Sequence, residues 1–329
     1  MILAGDIGGT KTNLALFELV DNKLYLKEKE QFKSNAFSSF AELLKAFEAK
    51  VNMPQITSAC FGVAGPVVNG NCSVTNLAWT LETEALQDYF KTSKVKLLND
   101  LEATAYGMLY LKPEEFVALN DNAQKVKGNC AVIAAGTGLG EGMLYYDGTD
   151  YHPIASEGGH SDFAPINAQQ DALLQWLRTR YPEHVSYERI LSGDGLYTLY
   201  EFLAETDFAP EPLSMLERSK EKDPNAMVSH GALEEGDALC LEALRLFVEI
   251  YAAEAGNLAL KSMALGGVYI GGGIAPKILP MMQKENFMNV FKAKGRLEGM
   301  LSKVPVRVAL NQETALLGAA NFAKDKFSS

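Results

Sequence analysis

The chain has 329 residues, of which 47% are hydrophobic and 22% charged, with a formal net charge of −11. That length can bury a large core and suggests about two domains, and the composition is ordinary for a soluble globular protein. The acidic balance argues against a general nucleic-acid or anionic-membrane surface, but backbone amides and one metal ion can hold a nucleotide's phosphates without net basicity.

The four cysteines, Cys60, Cys72, Cys130 and Cys240, have no CxxC spacing, and two lie in apolar runs, so buried free thiols are expected. The N-terminus has no basic segment leading into a long apolar run, and no stretch approaches about 18 uninterrupted apolar residues. Neither a signal peptide nor a membrane span is expected, which points to the cytoplasm.

In chain order, residues 2–7, 13–19 and 24–32 read as three strands in a meander, and 37–50 as a helix with Phe40, Leu43, Leu44 and Phe47 on one face and Ser38 or Ser39 as cap. A strand at 58–63, a turn at Ala64-Gly65-Pro66, a helix at 82–91, a strand at 95–98 and a helix from Asn99-Asp100 to about 111 follow. The order β-β-β-α-β-α-β-α is that of an α/β domain with a mixed sheet. The pattern then restarts: strand 129–135, glycine turn 136–140, returning strand 141–146 and a strand near 151–155. A helical stretch spans about 167–262, broken near Pro210-Glu211-Pro212 and Pro224 and ending in a long helix at about 237–263. A strand ending in Gly271-Gly272-Gly273, a short strand at 305–310 and an amphipathic helix at 313–325 complete the chain. The apolar face of that last helix (Ala315, Leu316, Ala319, Phe322) is expected to return to the first domain, giving a small domain of 1–111 plus 312–329 and a large one of 112–311 with helical insertions.

Three glycine-rich strand ends carry the main chemical signal. The first, Gly5-Asp6-Ile7-Gly8-Gly9-Thr10, joins two strands in a turn that presents backbone N–H groups and a hydroxyl, a geometry suited to phosphate, with Asp6 placed to reach a magnesium ion on it. Gly136-Thr137-Gly138 repeats the pattern, and Gly271-Gly272-Gly273 is the third. Neither a Walker loop nor a dinucleotide fingerprint is present. Each turn alone is equally an ordinary hairpin or loop; together they fit a nucleotide held between the repeats.

Asn99-Asp100 stands at a strand end opening a helix, where α/β sheets bind ligands; Asp there is a general base for phosphoryl transfer or an N-cap. Glu157-Gly158-Gly159-His160 pairs an acid and an imidazole that could hydrogen-bond vicinal sugar hydroxyls, against a zinc-ligand pair or a plain polar loop. Zinc is not expected, because the other histidines and the cysteines lack ligand spacing. Glu188 is read as a further polar group or as a capping or ion-paired residue, Asn76 as a pocket-lining amide and Trp79 as core.

These stretches, with Leu98-Asn99-Asp100, Ala135 to Gly140, Glu157 to Pro165, Leu191-Ser192-Gly193 and Gly266 to Ile274, resemble the bacterial glucokinase family, within the wider group of sugar kinases, actin and heat-shock chaperone ATPases. The resemblance runs from residue 3 to about 320. It implies an α/β fold of two ribonuclease H-like (actin-like ATPase) domains with a cleft between them, and transfer of the ATP γ-phosphate to the 6-hydroxyl of glucose. It makes Asp100 the base and gives Asn99, Asp100, Glu157, His160 and Glu188 to the sugar, to which the pocket-lining reading adds Asn76. Gly5, Asp6, Ile7, Gly8, Gly9, Thr10, Gly136, Thr137 and Gly138 go to ATP phosphates, Gly271, Gly272 and Gly273 to the adenosine, and Asp6 to Mg²⁺. A homodimer is also implied, with no nucleic-acid or membrane partner. Ser161-Asp162-Phe163-Ala164-Pro165 replaces the cysteine-rich zinc loop of the related repressor–kinase branch, so no zinc is implied. Lys11-Thr12-Asn13 stands where many members carry Asn-Ala-Arg. Alternatives are a kinase for mannose or an N-acetyl amino sugar, a non-catalytic sugar sensor or repressor of the same fold, and a filament-forming or chaperone-type ATPase. The hairpin starting by residue 5 leaves no room before it for the DNA-binding module a repressor would add.

Overall fold

The computed structural model describes residues 1–121, 123–124, 126–211, 224–284 and 287–327. The chain divides into two compact units, one made of 1–116, 142–155 and 311–329 and the other of 117–141 and 156–310.

The first unit is built on a five-stranded sheet of order β3-β2-β1-β4-β8, from β1 (Ile2–Ile7), β2 (Lys11–Val20), β3 (Lys23–Lys33), β4 (Ser58–Val63) and β8 (Val95–Asn99). The three-strand meander is antiparallel, whereas β4 and β8 join β1 in parallel. Lys11 and Thr12, expected in the turn, are paired residues of β2 opposite Lys33 and Phe32. Thr12 is buried, and its Oγ1 lies 3.0 Å from Ser34 Oγ. Three short strands not legible as an alternating pattern, β5 (Val67–Val68), β6 (Asn71–Ser73) and β7 (Thr80–Glu82), form a small antiparallel sheet after β4. With two or three residues each, they are too short to show a period.

Alternation along β1 splits the core into two layers. Leu3 and Ile7, with Leu14, Leu16, Phe61, Val63 and Leu97, pack under α1 (Phe40–Val51) through Phe40, Leu43 and Phe47. The helix starts three residues later than expected, because Ser34–Ala36 forms a separate 3-10 turn. Ser39 is its cap, accepting from Glu42 N at 3.2 Å, while Glu42 Oε2 accepts from Ser38 N at 2.7 Å. Ile2, Ala4, Ala15, Phe17, Cys60 and Leu98 face the other way and are covered by Leu316, Ala319, Ala320 and Ala323 of the C-terminal helix (Thr314–Phe327). That helix also lies tightly on α3 (Asp100–Met108): a Cβ added at Gly107 would collide with the Thr314 carbonyl, and one at Gly318 with the Ala103 carbonyl. The four cysteines are buried and unbridged.

In the second unit, β10 (Cys130–Ala135), β13 (Gly267–Gly271) and β14 (Val306–Ala309) run parallel and side by side, with β9 (Phe116–Ala118) beyond β14 and the first residues of β11 (Leu139–Tyr146) following β10 through a glycine turn. The helices α4 (Ala168–Arg180) and α5 (Gly193–Glu205) precede the long helix Ala238–Ser262, whose burial on almost every turn marks it as the centre of this unit. Among the described residues a helix, Pro224–His230, has Pro224 as its first residue, as its fixed φ and missing N–H allow. The expected break near Pro210-Glu211-Pro212 follows the end of α5 at Glu205: residues 206–211 are not helical, and Pro212 lies outside the described residues. Short helices at Leu279–Lys284, Phe287–Lys292 and Glu298–Leu301 follow the third glycine turn.

Leu316 is 2% exposed between the sheet and α3. Its replacement by Ala should destabilise the protein by about 2–5 kcal/mol, measured as a drop in the urea midpoint. A change below about 1 kcal/mol would show that this face of the sheet does not depend on the C-terminal helix.

Candidate active site

In the first unit the site is set by register. Ile7 pairs with Val63 and Val63 with Asn99, so the carboxyl ends of the parallel strands β1, β4 and β8 lie level. Open parallel sheets bind ligands at this edge. The loops leaving the three strands are tied together there. Ala64 N donates to Ile7 O at 2.9 Å, and Thr75 N donates to Ala64 O at 2.8 Å. A Cβ at Gly9 would stand 3.0 Å from Thr75 O, which keeps the Gly8-Gly9 turn against the segment carrying Asn76. Asn76 is exposed and left-handed at φ 64°.

The turn closes through Gly8 N to Lys11 O at 3.0 Å and is propped by Ser34 Oγ, which donates to Gly8 O at 2.6 Å. Gly5 is not part of the turn: it lies inside β1, where a Cβ would press on Phe61 at 2.6 Å, and the Ile7 side chain is core. Any phosphate contact by these two residues is therefore a backbone one. Asp6 is largely buried. Its Oδ2 accepts from Asn13 Nδ2 at 3.2 Å, and Asn13 Oδ1 accepts from Gln31 Nε2 at 2.8 Å. Burial raises the Asp6 pKa, opposed by the Asn13 hydrogen bond and the Lys11 charge.

Asn99, not Asp100, caps α3. Asn99 Oδ1 accepts from Leu101 N at 2.9 Å, and its backbone N–H donates to Glu102 Oε2 at 2.8 Å, completing a capping box. Asn99 Nδ2 donates to Gly65 O at 3.1 Å. Gly65, at φ +143°, takes a backbone angle that side chains rarely adopt, and a Cβ there would meet Ser73 O. Sequence reasoning listed Gly65 only as a turn residue; its carbonyl anchors the amide beside Asp100. Asp100 opens α3, half-buried, with Oδ1 accepting from Leu101 N at 2.9 Å. Asn99 and Asp100 thus share the Leu101 N–H, and Asp100 is the first helical residue after the strand end. Trp79 is core, donating to Phe37 O at 3.2 Å.

In the second unit the parallel pair β10–β13 aligns Ala134 with Gly271, bringing the turns at 136–138 and 271–273 to one edge. Gly272, at φ +82°, lies directly against the Ala135 carbonyl, leaving no room for a Cβ. Gly136 N donates to Gly138 O at 2.8 Å, and Gly193 N to Gly136 O at 2.8 Å. This last bond explains the Leu191-Ser192-Gly193 motif: Ser192 caps α5 and Gly193 braces the glycine turn. Thr137 and Gly273 are exposed at this edge.

Glu157 and His160 flank a 3-10 turn, Gly158–His160, and both are exposed. Tyr187 N donates to Ser161 O at 3.1 Å and Phe163 N to Val185 O at 2.9 Å, so the segment after His160 pairs with the one leading to Glu188. Glu188 Oε2 accepts from Leu139 N at 2.9 Å, and its Oε1 is 4.0 Å from His160 Nε2. The N–H that Glu188 holds belongs to a strand residue, Leu139, rather than to a helix start, so this bond is not the expected cap; its other oxygen faces His160. A cavity of about 420 Å³ opens beside His160 and Glu188, lined further by Tyr181, His184 and Arg189. Among the described residues no group of three or more His, Cys, Asp or Glu side chains is placed to hold a metal ion, and no helix is long and apolar enough to cross a membrane.

Glycine turns at parallel strand ends in both units, each with a polar set beside it, belong to the actin-like two-domain fold of sugar kinases. A glucokinase structure from an Antarctic psychrotroph superposes with a TM-score of 0.85 at 30% identity, covering 98% of each chain. A ROK family glucokinase from Streptomyces griseus, solved in complex with glucose and AMPPNP, shares the fold at a TM-score of 0.66 and 18% identity, covering 98% of this chain and 99% of that one. The sequence model for glucokinase matches residues 3–326. The Glucokinase of Nostoc sp. (strain PCC 7120) is 40% identical over 334 residues, covering 97% of this chain and 98% of that protein, and the Glucokinase of Hahella chejuensis is 34% identical over 324 residues, covering 98% and 97%. The chain belongs to the glucokinase family.

Asn99 joins the cap of α3 to Gly65, so its loss should be felt twice. Asn99→Ala should cost about 1–3 kcal/mol, from the lost cap and the unpaired Gly65 carbonyl, and Asn99→Asp, which keeps the cap acceptor, should cost less. Thermal melting of both variants checks the order; an Asp variant as unstable as the Ala variant would remove the cap from the account.

Proposed function

We propose that the chain transfers the γ-phosphoryl group of ATP to the 6-hydroxyl of glucose, with Asp100 as general base. The observation that carries this reading is the level edge of β1, β4 and β8, which gathers Asp6, the Gly8–Thr10 turn, Asn76 and the Asn99-Asp100 pair. Asp100 accepts the proton of the glucose O6 hydroxyl as O6 bonds to the γ-phosphorus and the bond to the ADP oxygen breaks. Asn99, Asn76, Glu157, His160 and Glu188 hold the other hydroxyls; His160 and Glu188, 4.0 Å apart, support a shared role. The domain of 1–111 with 312–329 supplies the base and one phosphate turn, and the domain of 112–311 supplies Gly136–Gly138, the Gly271–Gly273 turn for adenosine, and the sugar-binding acid and imidazole.

Magnesium enters with ATP. A single carboxylate beside a phosphate turn suits an ion that keeps phosphate and water ligands, and a cation there would favour the ionised form that burial disfavours in Asp6. Asp6 would hold the ATP-bound ion indirectly; when bound, the ion neutralises phosphate charge. We further read the enzyme as a cytoplasmic homodimer whose product feeds glycolysis.

A coupled ADP-release assay over glucose, mannose and N-acetylglucosamine tests class and substrate together, with glucose expected to give the highest kcat/KM. Asp100→Asn and Asp100→Ala should lower kcat by at least about a hundredfold with little change in glucose KM. Near-normal turnover in either variant would sink the assignment of the base. Mannose or the N-acetyl sugar outrunning glucose would move the reading to another hexose kinase.

A further inference from the structure

Beneath the Glu157–His160 turn lies a carboxyl that the reaction does not use. Glu141 is 1% exposed, and its Oε1 has no hydrogen-bond partner. Its Oε2 occupies the space a Cβ would need at Gly158, where the Ser156 hydroxyl also stands, accepting from Gly158 N at 2.9 Å. Any side chain at 158, or any movement of Glu141, is felt by the backbone between Glu157 and His160.

Below Glu141 the long helix supplies a second buried acid. Glu254 is fully buried, with Oε1 3.1 Å from Lys261 Nζ and Oε2 accepting from Asn257 Nδ2 at 2.8 Å. Asn257 Nδ2 also donates to Tyr187 OH at 3.3 Å, and Asn257 Oδ1 accepts from Lys294 Nζ at 2.7 Å. Tyr187 immediately precedes Glu188. One polar layer thus underlies both turns that present the sugar-facing groups.

We propose that Glu141 is a positioning residue for sugar recognition, setting through Gly158 the turn that carries Glu157 and His160. This rests on the reading of Glu157 and His160 as sugar ligands. The charged and titratable groups facing Glu141 are Glu254, Lys261 and Tyr251 of the long helix, with Lys294 beyond Asn257. Burial, then the Glu254 charge, push Glu141 up to about 8, against the pull of Lys261. At neutral pH it is an uncharged acid that fits its space. Above about pH 8 it ionises with Lys261 already paired to Glu254 and no donor at Oε1, so the carboxylate draws in water or shifts, and Gly158 shifts with it.

Steady-state kinetics of the full chain across pH test this. Wild-type KM for glucose should rise several-fold between about pH 7 and about pH 9, with KM for ATP unchanged. Glu141→Ala should raise glucose KM at every pH, and Glu141→Gln should rescue it and hold it flat to about pH 9. Melting gives a readout independent of sugar. A raised folded-state pKa means stability lost as pH rises from the ordinary carboxylate range through about 8, so Glu141→Gln should melt higher than wild type at pH 8 and lose that advantage towards pH 5. An alkaline KM rise in Glu141→Gln equal to that of wild type, or a flat wild-type profile, overturns the proposal. If instead the sugar-site reading fails, Glu157→Gln and His160→Ala leave glucose KM unchanged while the melting difference persists, and the positioning role falls with it.

Discussion

Backbone pairing between parallel strands is the constraint on which the rest depends. Parallel strands share one direction, so the pairing of Ile7 with Val63 and of Val63 with Asn99 brings three carboxyl ends to one edge. The acid of β1 and the amide–acid pair after β8 are 93 residues apart in sequence, counting from Asp6 to Asn99, yet they leave the same sheet edge. The β10–β13 pair does the same in the second unit for turns separated by the whole helical insertion. Strand register here brings together residues that no single loop carries.

Helices and turns pack against these sheets at places where no side chain fits. Gly62 stands where a Cβ would meet Ala103 of α3 at 2.7 Å, Gly107 and Gly318 seat the C-terminal helix on α3, and Gly159 lies against the Leu139 carbonyl. Interiors this close leave little slack, so loops anchored to them are held too. Polar groups near the edges then serve two ends at once. Asn99 caps a helix while its amide grips Gly65, and Glu188 holds Leu139 N–H with one oxygen while the other faces His160. Such sharing sets side-chain direction without added residues.

The two units handle buried charge differently. In the first, Asp6 has a donor in Asn13, itself fixed by Gln31, and a cation in Lys11 nearby. In the second, Glu141 and Glu254 share the positive charge of Lys261, and an oxygen of Glu141 has no partner. A buried carboxyl short of partners resolves the shortage by keeping its proton. Membership of the glucokinase family gives that layer a setting, since it underlies the turn read here as sugar-binding.

Much of this was legible along the chain. Alternation and apolar runs marked the long strands β1, β4, β10 and β13 within a residue or two, the spacing of Phe40, Leu43, Leu44 and Phe47 marked the buried face of α1, and glycine turns at strand ends marked both phosphate candidates. Local preference could not place the start of β2 at Lys11, because its partner residues, Phe32 and Lys33, lie a hairpin away. Nor could it tell Asn99 from Asp100 as the cap, since both are good caps and the choice falls to the one whose other atoms find Gly65. Sequence by itself determined the long strands and helices, the glycines and polar residues that stand at the strand ends, and the family. Only the tertiary structure decided which partner each carboxylate meets, Asn13 for Asp6 and Leu139 N–H for Glu188, and that a plain strand residue, Glu141, lies under Gly158. The reason is that hydrogen-bond partners and desolvation come from residues distant in sequence, and neither leaves a local trace.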